Sequence, residues 1–276
     1  TVTDLSFDFN DASEFHRAIG FRGGKSEHVR ILHNVIFDSN SKTQRGDKWA
    51  VSFANDGGTE NIWVASNHSM NDMQLTAGGG AGAKNIWISK NLVTNGRNAA
   101  IALTSLANDA RFENINVIQN TIKNPRGIGI YIGPDSPSSR NGSIKNLKIA
   151  KNSFEGWSNA EKWHIGILVR SFENENRDIA ITGNKLNGGG APEDIGIFIV
   201  NQHGEDGTRW FDNVTVTNNT ITDFEKGVQY EDVRTISIIN NELNVCGQPT
   251  LAGANVSGVV DSGNVISKMC GTVAAR

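Results

Sequence analysis

Residues 114–133 read NINVIQNTIKNPRGIGIYIG, and the fold can be read outward from them. Ile115 and Val117 alternate with polar residues, Asn120 follows, and Ile122 stands two places later. After a short polar break, Ile128, Ile130 and Ile132 alternate again. Apolar spacing of two in such short runs is the pattern of strands. The same phrase recurs down the chain.

Val29, Ile31 and Ile36 surround Asn34, and Ile86, Ile88 and Val93 surround Asn91. Leu147, Ile149 and Phe154 do so for Asn152, and Ile179, Ile181 and Leu186 for Asn184. Asn219 and Asn241 follow suit, Asn10 and Asn264 carry frayed copies, and at Asn67 the apolar place after the Asn is taken by Ser69. Successive gaps are 24, 33, 24, 29, 32, 32, 35, 22 and 23 residues. A repeat with a fixed floor and variable excess predicts a solenoid whose rungs carry loops of different length. The Asn is expected to take the left-handed backbone of a sharp corner. Stacked at the strand spacing of about 4.8 Å, such side chains also bond to one another along the rod.

This Asn-centred repeat, running from Leu5 to Ile266, resembles the right-handed parallel β-helix superfamily. That superfamily holds pectate lyases, uronan lyases and epimerases, polygalacturonases and phage tailspikes. The resemblance implies an all-β fold: a right-handed single-stranded parallel β-helix of about nine to ten rungs with an asparagine ladder. Parallel crossings are right-handed in about 98 % of cases. The catalytic motifs of these families do not accompany the repeat: of the polygalacturonase set only His203-Gly204 is present, and the Tyr-Gly-x-Asp-Pro-His-Asp run of mannuronan epimerases is missing.

One continuous repeat over 276 residues predicts a single domain, 1–276, with residues 246–276 forming the terminal rungs and C-terminal cap. Net charge of −3 recommends neither nucleic acid nor an anionic membrane as partner, and no apolar run is long enough to span a bilayer. The strand pattern starts at Leu5 with no amphipathic helix before it, so either a preceding segment or a second chain is expected to cover that end. A homo-oligomer is thus one of two readings. Residues 11–17, DASEFHR, suit a short helical turn. Cys246 and Cys270 lie about one rung apart; a disulfide and two buried thiols are both open.

A third strand series carries the Gly-Ile-x-Ile phrase, as in residues 129–132, 166–169 and 196–199. The resemblance makes this sheet the floor of a sugar groove, walled by the long loops at 39–48, 133–145, 155–163, 187–194 and 201–212. Alternation predicts the outward residues. One column is nearly all small (Gly129, Gly166, Gly196, Gly227) with Asp72 as its exception, which either clears a path for a polymer or suits a tight corner. The next holds Gln74, Tyr131, Leu168 and Phe198, either a sugar-stacking strip or packing beneath a loop. The third brings His164, Asp194 and Glu225 onto consecutive rungs, as an acid–base group, a Ca2+ site through the two carboxylates, or a solvated ion ladder. Arg170 and Glu231 also point outward; Trp63 and Trp87 should stack outside the first sheet, as a second carbohydrate platform, a subunit contact or packing under a loop.

The function expected from these features is cleavage of an acidic polysaccharide outside the cell or on a virion, by β-elimination or hydrolysis. His164, Arg170, Tyr131 and Asp194 are the catalytic candidates, with Phe198, Glu231, Asp72 and Gln74 for binding substrate. A base removes the proton beside the uronate carboxyl group, and Arg170 neutralises the developing enolate. No cofactor is required apart from the Ca2+ alternative. The other reading is a non-catalytic β-helix, a tail-fibre or adhesin segment that binds glycans or spaces other domains.

Overall fold

A computed structural model describes residues 2–8, 11–13, 17–37, 49–55, 57–70, 72–77, 82–96, 98–105, 110–134, 142–157, 164–172, 176–191, 193–202 and 210–268. Their strands form three sheets, and every pairing between neighbouring strands is parallel. One rung shows the plan: Arg111–Ile118 lies in the first sheet, Thr121–Lys123 in the second and Ile128–Pro134 in the third. The next rung repeats it with Ser143–Ala150, Ser153–Glu155 and Ile165–Ser171. No helix occurs among the described residues. The molecule is a parallel β-helix.

The core runs along the axis. In the first of these rungs Ile115, Val117, Ile122, Ile130 and Ile132 are all fully buried. Each such side chain contributes about 1.5–3 kcal/mol by leaving water, an upper estimate because the unfolded chain is itself partly compact.

Among the described residues, nine ladder asparagines from Asn34 to Asn264 stack at the corner between the first and second sheets. Both the backbone N–H and the amide nitrogen of Asn120 donate to Oδ1 of Asn152, at 2.9 and 3.0 Å. The amide of Asn152 donates in turn to the Val117 carbonyl and to Asn184, both at 2.9 Å. The same pair of bonds links Asn34 to Asn67 and Asn241 to Asn264. Asn67 belongs to the ladder although Ser69, itself buried, replaces the usual apolar neighbour.

The corner differs from the sequence expectation in one respect. The ladder residues do not adopt positive φ; the residue before each does, as at Gln119 (φ 58), Lys151 (φ 56) and Asn240 (φ 55). The turn is thus made one place earlier, and the Asn is selected for its amide. Residues 11–17 also depart from the helical turn: Asp11–Ser13 is a strand pairing with Val35–Phe37, and Arg17–Arg22 begins the third sheet. In the second sheet Ala12 takes the place beside Ile36, so the segment completes a rung. Asn10 and Cys270 lie outside the described residues.

The glycine column points inward, not outward. A Cβ on Gly166 would come within 2.3 Å of Leu186 and 2.4 Å of the Gly196 carbonyl; one on Gly196 would meet Ile221 at 2.5 Å. On Gly129 it would strike Phe154 at 2.4 Å. The missing side chains make room for the second sheet's core residues. They do not clear a floor for a polymer.

Candidate functional site

The third sheet carries the expected catalytic residues but separates them into two clusters. At one end of Ile165–Ser171, Arg170 donates to the Tyr131 hydroxyl and, at 2.8 Å, to the Pro134 carbonyl. Tyr131 donates to that same carbonyl. The guanidinium lies 5.2 Å from the Tyr131 ring centre and 5.1 Å from that of Phe172. This close approach needs a glycine: a Cβ on Gly133, at φ 142, would fall 2.0 Å from the Arg170 carbonyl oxygen. The cluster is a clamp that ties one rung to the next.

The second cluster precedes the strand. His164 Nδ1 lies 3.1 Å from Oδ1 and 3.3 Å from Oδ2 of Asp194, and the Ala191 N–H donates to Oδ2 at 3.1 Å. Trp157 packs on the imidazole, ring centres 5.5 Å apart. His164 is only 4 % exposed and Asp194 2 %, so both are buried where the alternation predicts outward side chains. Among the described residues, His164 Nε2 and Trp157 Nε1 have no hydrogen-bond partner. His164 and Arg170 stand six places apart on extended backbone, which is about 20 Å. Both cannot touch the same sugar ring. The single constellation expected from the sequence is not formed.

The remaining candidates are dispersed as well. Asp72 is buried and accepts the Asn98 N–H at 3.2 Å. Gln74 lies on the strand Asp72–Ala77, but its side chain falls outside the described set. Phe198 is half-buried against an apolar cluster on the sheet's outer face that includes Tyr131, Ile165, Leu168 and Ile195. Glu231 accepts from Gln229 at 2.9 Å. No group of three His, Cys, Asp or Glu suited to a metal occurs among the described residues. Asp194, one of the two expected Ca2+ ligands, is already engaged by His164 and Ala191.

The flank of the first sheet offers more open chemistry. Trp63 and Trp87 stack there as expected, ring centres 5.0 Å apart and planes within 3°. Arg30, one rung before Trp63, lies over its ring at 5.4 Å. Both faces of Trp63 are therefore covered, and a sugar cannot lie flat on it. Beside this column runs a second amide ladder: Asn146 donates to Asn114, Asn114 to Asn85, and Asn85 to Asn61, at 2.9–3.0 Å. Asn61 Nδ2 lies 3.2 Å from Nε2 of His28, whose Nδ1 stands 3.6 Å from an Asp4 carboxylate oxygen. With the Asn61 oxygen already accepting from Asn85, its amide group donates, so His28 Nε2 accepts and Nδ1 carries the proton. All of these positions, Asp4 and His28 included, have φ between 52° and 56°.

At the opposite end of the rod burial pushes the Asp232 carboxyl above its ordinary value of 3.8, Asn255 opposes the shift with a 2.8 Å hydrogen bond, and Glu231 adds to it. An acid that keeps its proton longer folded than unfolded makes the native state bind more protons between those two values. Stability from this group is therefore present below pH 3.8 and is lost as pH rises to the raised value. Asp232→Asn is expected to stabilise the protein at pH 7 and to lose that advantage near pH 3, measured by urea unfolding at both.

In fold the chain is a parallel β-helix. No family model matches the sequence, and neither does any curated protein. Among solved structures it is similar to the Streptococcus pneumoniae surface protein and adhesin PfbA, at 12 % identity and a TM-score of 0.31, over 95 % of this chain and 90 % of that one.

Proposed function

We propose that the chain is a non-catalytic β-helix displayed at a cell or virion surface, where it binds glycan along its flank. The observation that carries this reading is how the candidate residues are used. Tyr131 and Arg170 are committed to the Pro134 carbonyl, and His164 and Asp194 to each other beneath Trp157. Catalytic groups have to reach the proton they move. The partly exposed ring edges of Trp63 and Trp87, with the exposed Arg30 beside them, instead supply aromatic and cationic surface open to a ligand.

The enzymatic reading is favoured by one observation. His164 is oriented by Asp194 through Nδ1 and keeps Nε2 unpaired among the described residues, the arrangement of a general base. A panel of uronate-containing and neutral polysaccharides separates the two. Retention on at least one immobilised polymer, with no rise at about 235 nm and no new reducing ends, is the result expected. Absorbance with new ends makes the protein a lyase, new ends alone a hydrolase, and either overturns the proposal.

A further inference from the structure

Beside Arg30 lies an open cavity of about 270 Å³ lined by Asp4, Leu5, Ser6, His28, Arg30 and Trp63. Strand pairing explains why it exists. Ser6, Arg30, Trp63 and Trp87 form one outward column on successive rungs, and the short Ser6 side chain leaves the face of Arg30 away from Trp63 uncovered. The neighbouring column runs alongside it through Asn61, His28 and Asp4. The cavity occupies the step between the two columns.

The chemistry of its wall is specific. Arg30 is exposed, is held on the Trp63 ring, and has no carboxylate within ion-pair distance among the described residues. The nearby acids Glu27 and Glu60 are both taken by Lys25, at 3.2 and 3.1 Å. A guanidinium stacked on an indole is pre-organised, and its planar fork suits a carboxylate. The Nδ1–H of His28, the Ser6 hydroxyl and the Asp4 carboxylate offer one donor, one group of either sense and one acceptor, as ring hydroxyls require. Leu5 and the Trp63 edge supply an apolar side. A volume just below the usual range of about 300–1,000 Å³ for ligand pockets admits one ring, not several.

We propose that this cavity binds a single carboxylate-bearing sugar residue, with its carboxylate on Arg30 and its hydroxyls toward His28, Ser6 and Asp4. A compact inorganic anion would leave the apolar wall unused and meet Asp4 as a like charge. A neutral sugar would leave the cation unanswered. The assignment deepens the glycan-binding reading and rests on it.

The test is titration of the whole protein, followed by two-dimensional NMR of the tryptophan indole N–H signals. The probes are D-glucuronate, D-galacturonate, D-glucose and inorganic phosphate at matched ionic strength. Saturable movement of the Trp63 signal with at least one uronate is expected, with D-glucose and phosphate binding at least about tenfold more weakly. Arg30→Ala should weaken uronate binding about tenfold or more, and Arg30→Lys by less, because an ammonium loses the bidentate fork. Unchanged indole signals with both uronates overturn the site. So does equal binding of glucose, equal binding of phosphate, or full affinity in Arg30→Ala with native indole dispersion. Polymer retention that survives Arg30→Ala would leave the broader glycan reading standing and remove this one. A uronate-shifted Trp63 in a protein retained by no polymer would do the reverse.

Discussion

Asn152→Ala is expected to lower the stability of the rod by about 3 kcal/mol or more, through the loss of four buried hydrogen bonds. Asn152 Oδ1 accepts both the backbone and the amide N–H of Asn120, and its own amide satisfies the Val117 carbonyl and Asn184. All three ladder residues are 1 % exposed or less, so water cannot replace the lost partners. Each buried group left unsatisfied costs about 1–3 kcal/mol, discounted here because the groups share one relaxed cavity. Asn146→Gly is the control. It removes the side chain from the outer ladder, where φ 53 suits glycine and water substitutes for the exposed amide, so less than about 1 kcal/mol is expected. Urea unfolding of the two variants measures the difference; equal losses would show that the inner ladder is not what holds the corner.

Asp194→Ala is expected to cost about 2–4 kcal/mol, since it strands His164 Nδ1 and the Ala191 N–H in a buried site. On the sequence alone the pair faces outward, and substitution there would spare the fold. The structure inverts that expectation. Thermal unfolding of Asp194→Ala and Asp194→Asn settles it, because Asn retains an acceptor for both donors and should recover about half of the loss. A variant as stable as the parent would return the pair to the surface and revive the acid–base reading.

The repeat itself was legible because strand alternation and the ladder residue are both local signals. Asn34, Asn91, Asn120, Asn152, Asn184, Asn219 and Asn241 stack at one corner, and Trp63 pairs with Trp87, as their spacing implies. What failed was counting faces through a corner. Pairing in the third sheet joins Ile165 to Ile195 and Ile167 to Ile197, with no paired contact at Gly166 and Gly196. The side-chain alternation slips by one at each glycine while the register between the strands holds, with Gly166 and Ile167 both directed inward. Outward assignments two places upstream of it, at His164 and Asp194, therefore fall on the wrong face. The outer ladder was missed for a different reason. Its residues stand immediately before the inward apolar pair, as in Asn61-Ile62, Asn85-Ile86, Asn114-Ile115 and Asn146-Leu147, and the pattern includes His28-Val29 and Asp4-Leu5. The signal is present in the sequence, next to the Trp column. The cavity at Arg30 needs the pairing of Ser6 with Arg30, which no single rung reveals.

The ladder also makes the length of this molecule countable in whole numbers. Each amide oxygen receives the rung before it and each amide group reaches the rung after it, so every rung presents the same plug and the same socket. Duplicating or excising one complete turn of chain would rejoin like to like and change the rod by one strand spacing, about 4.8 Å. Gaps of 22 to 35 residues between successive ladder positions show that loops can grow within a turn without disturbing that count. A cut that removed part of a turn has no such solution. Lineages of this protein can therefore vary in reach by steps and in decoration by degrees, with the two kinds of change kept apart by one column of asparagines.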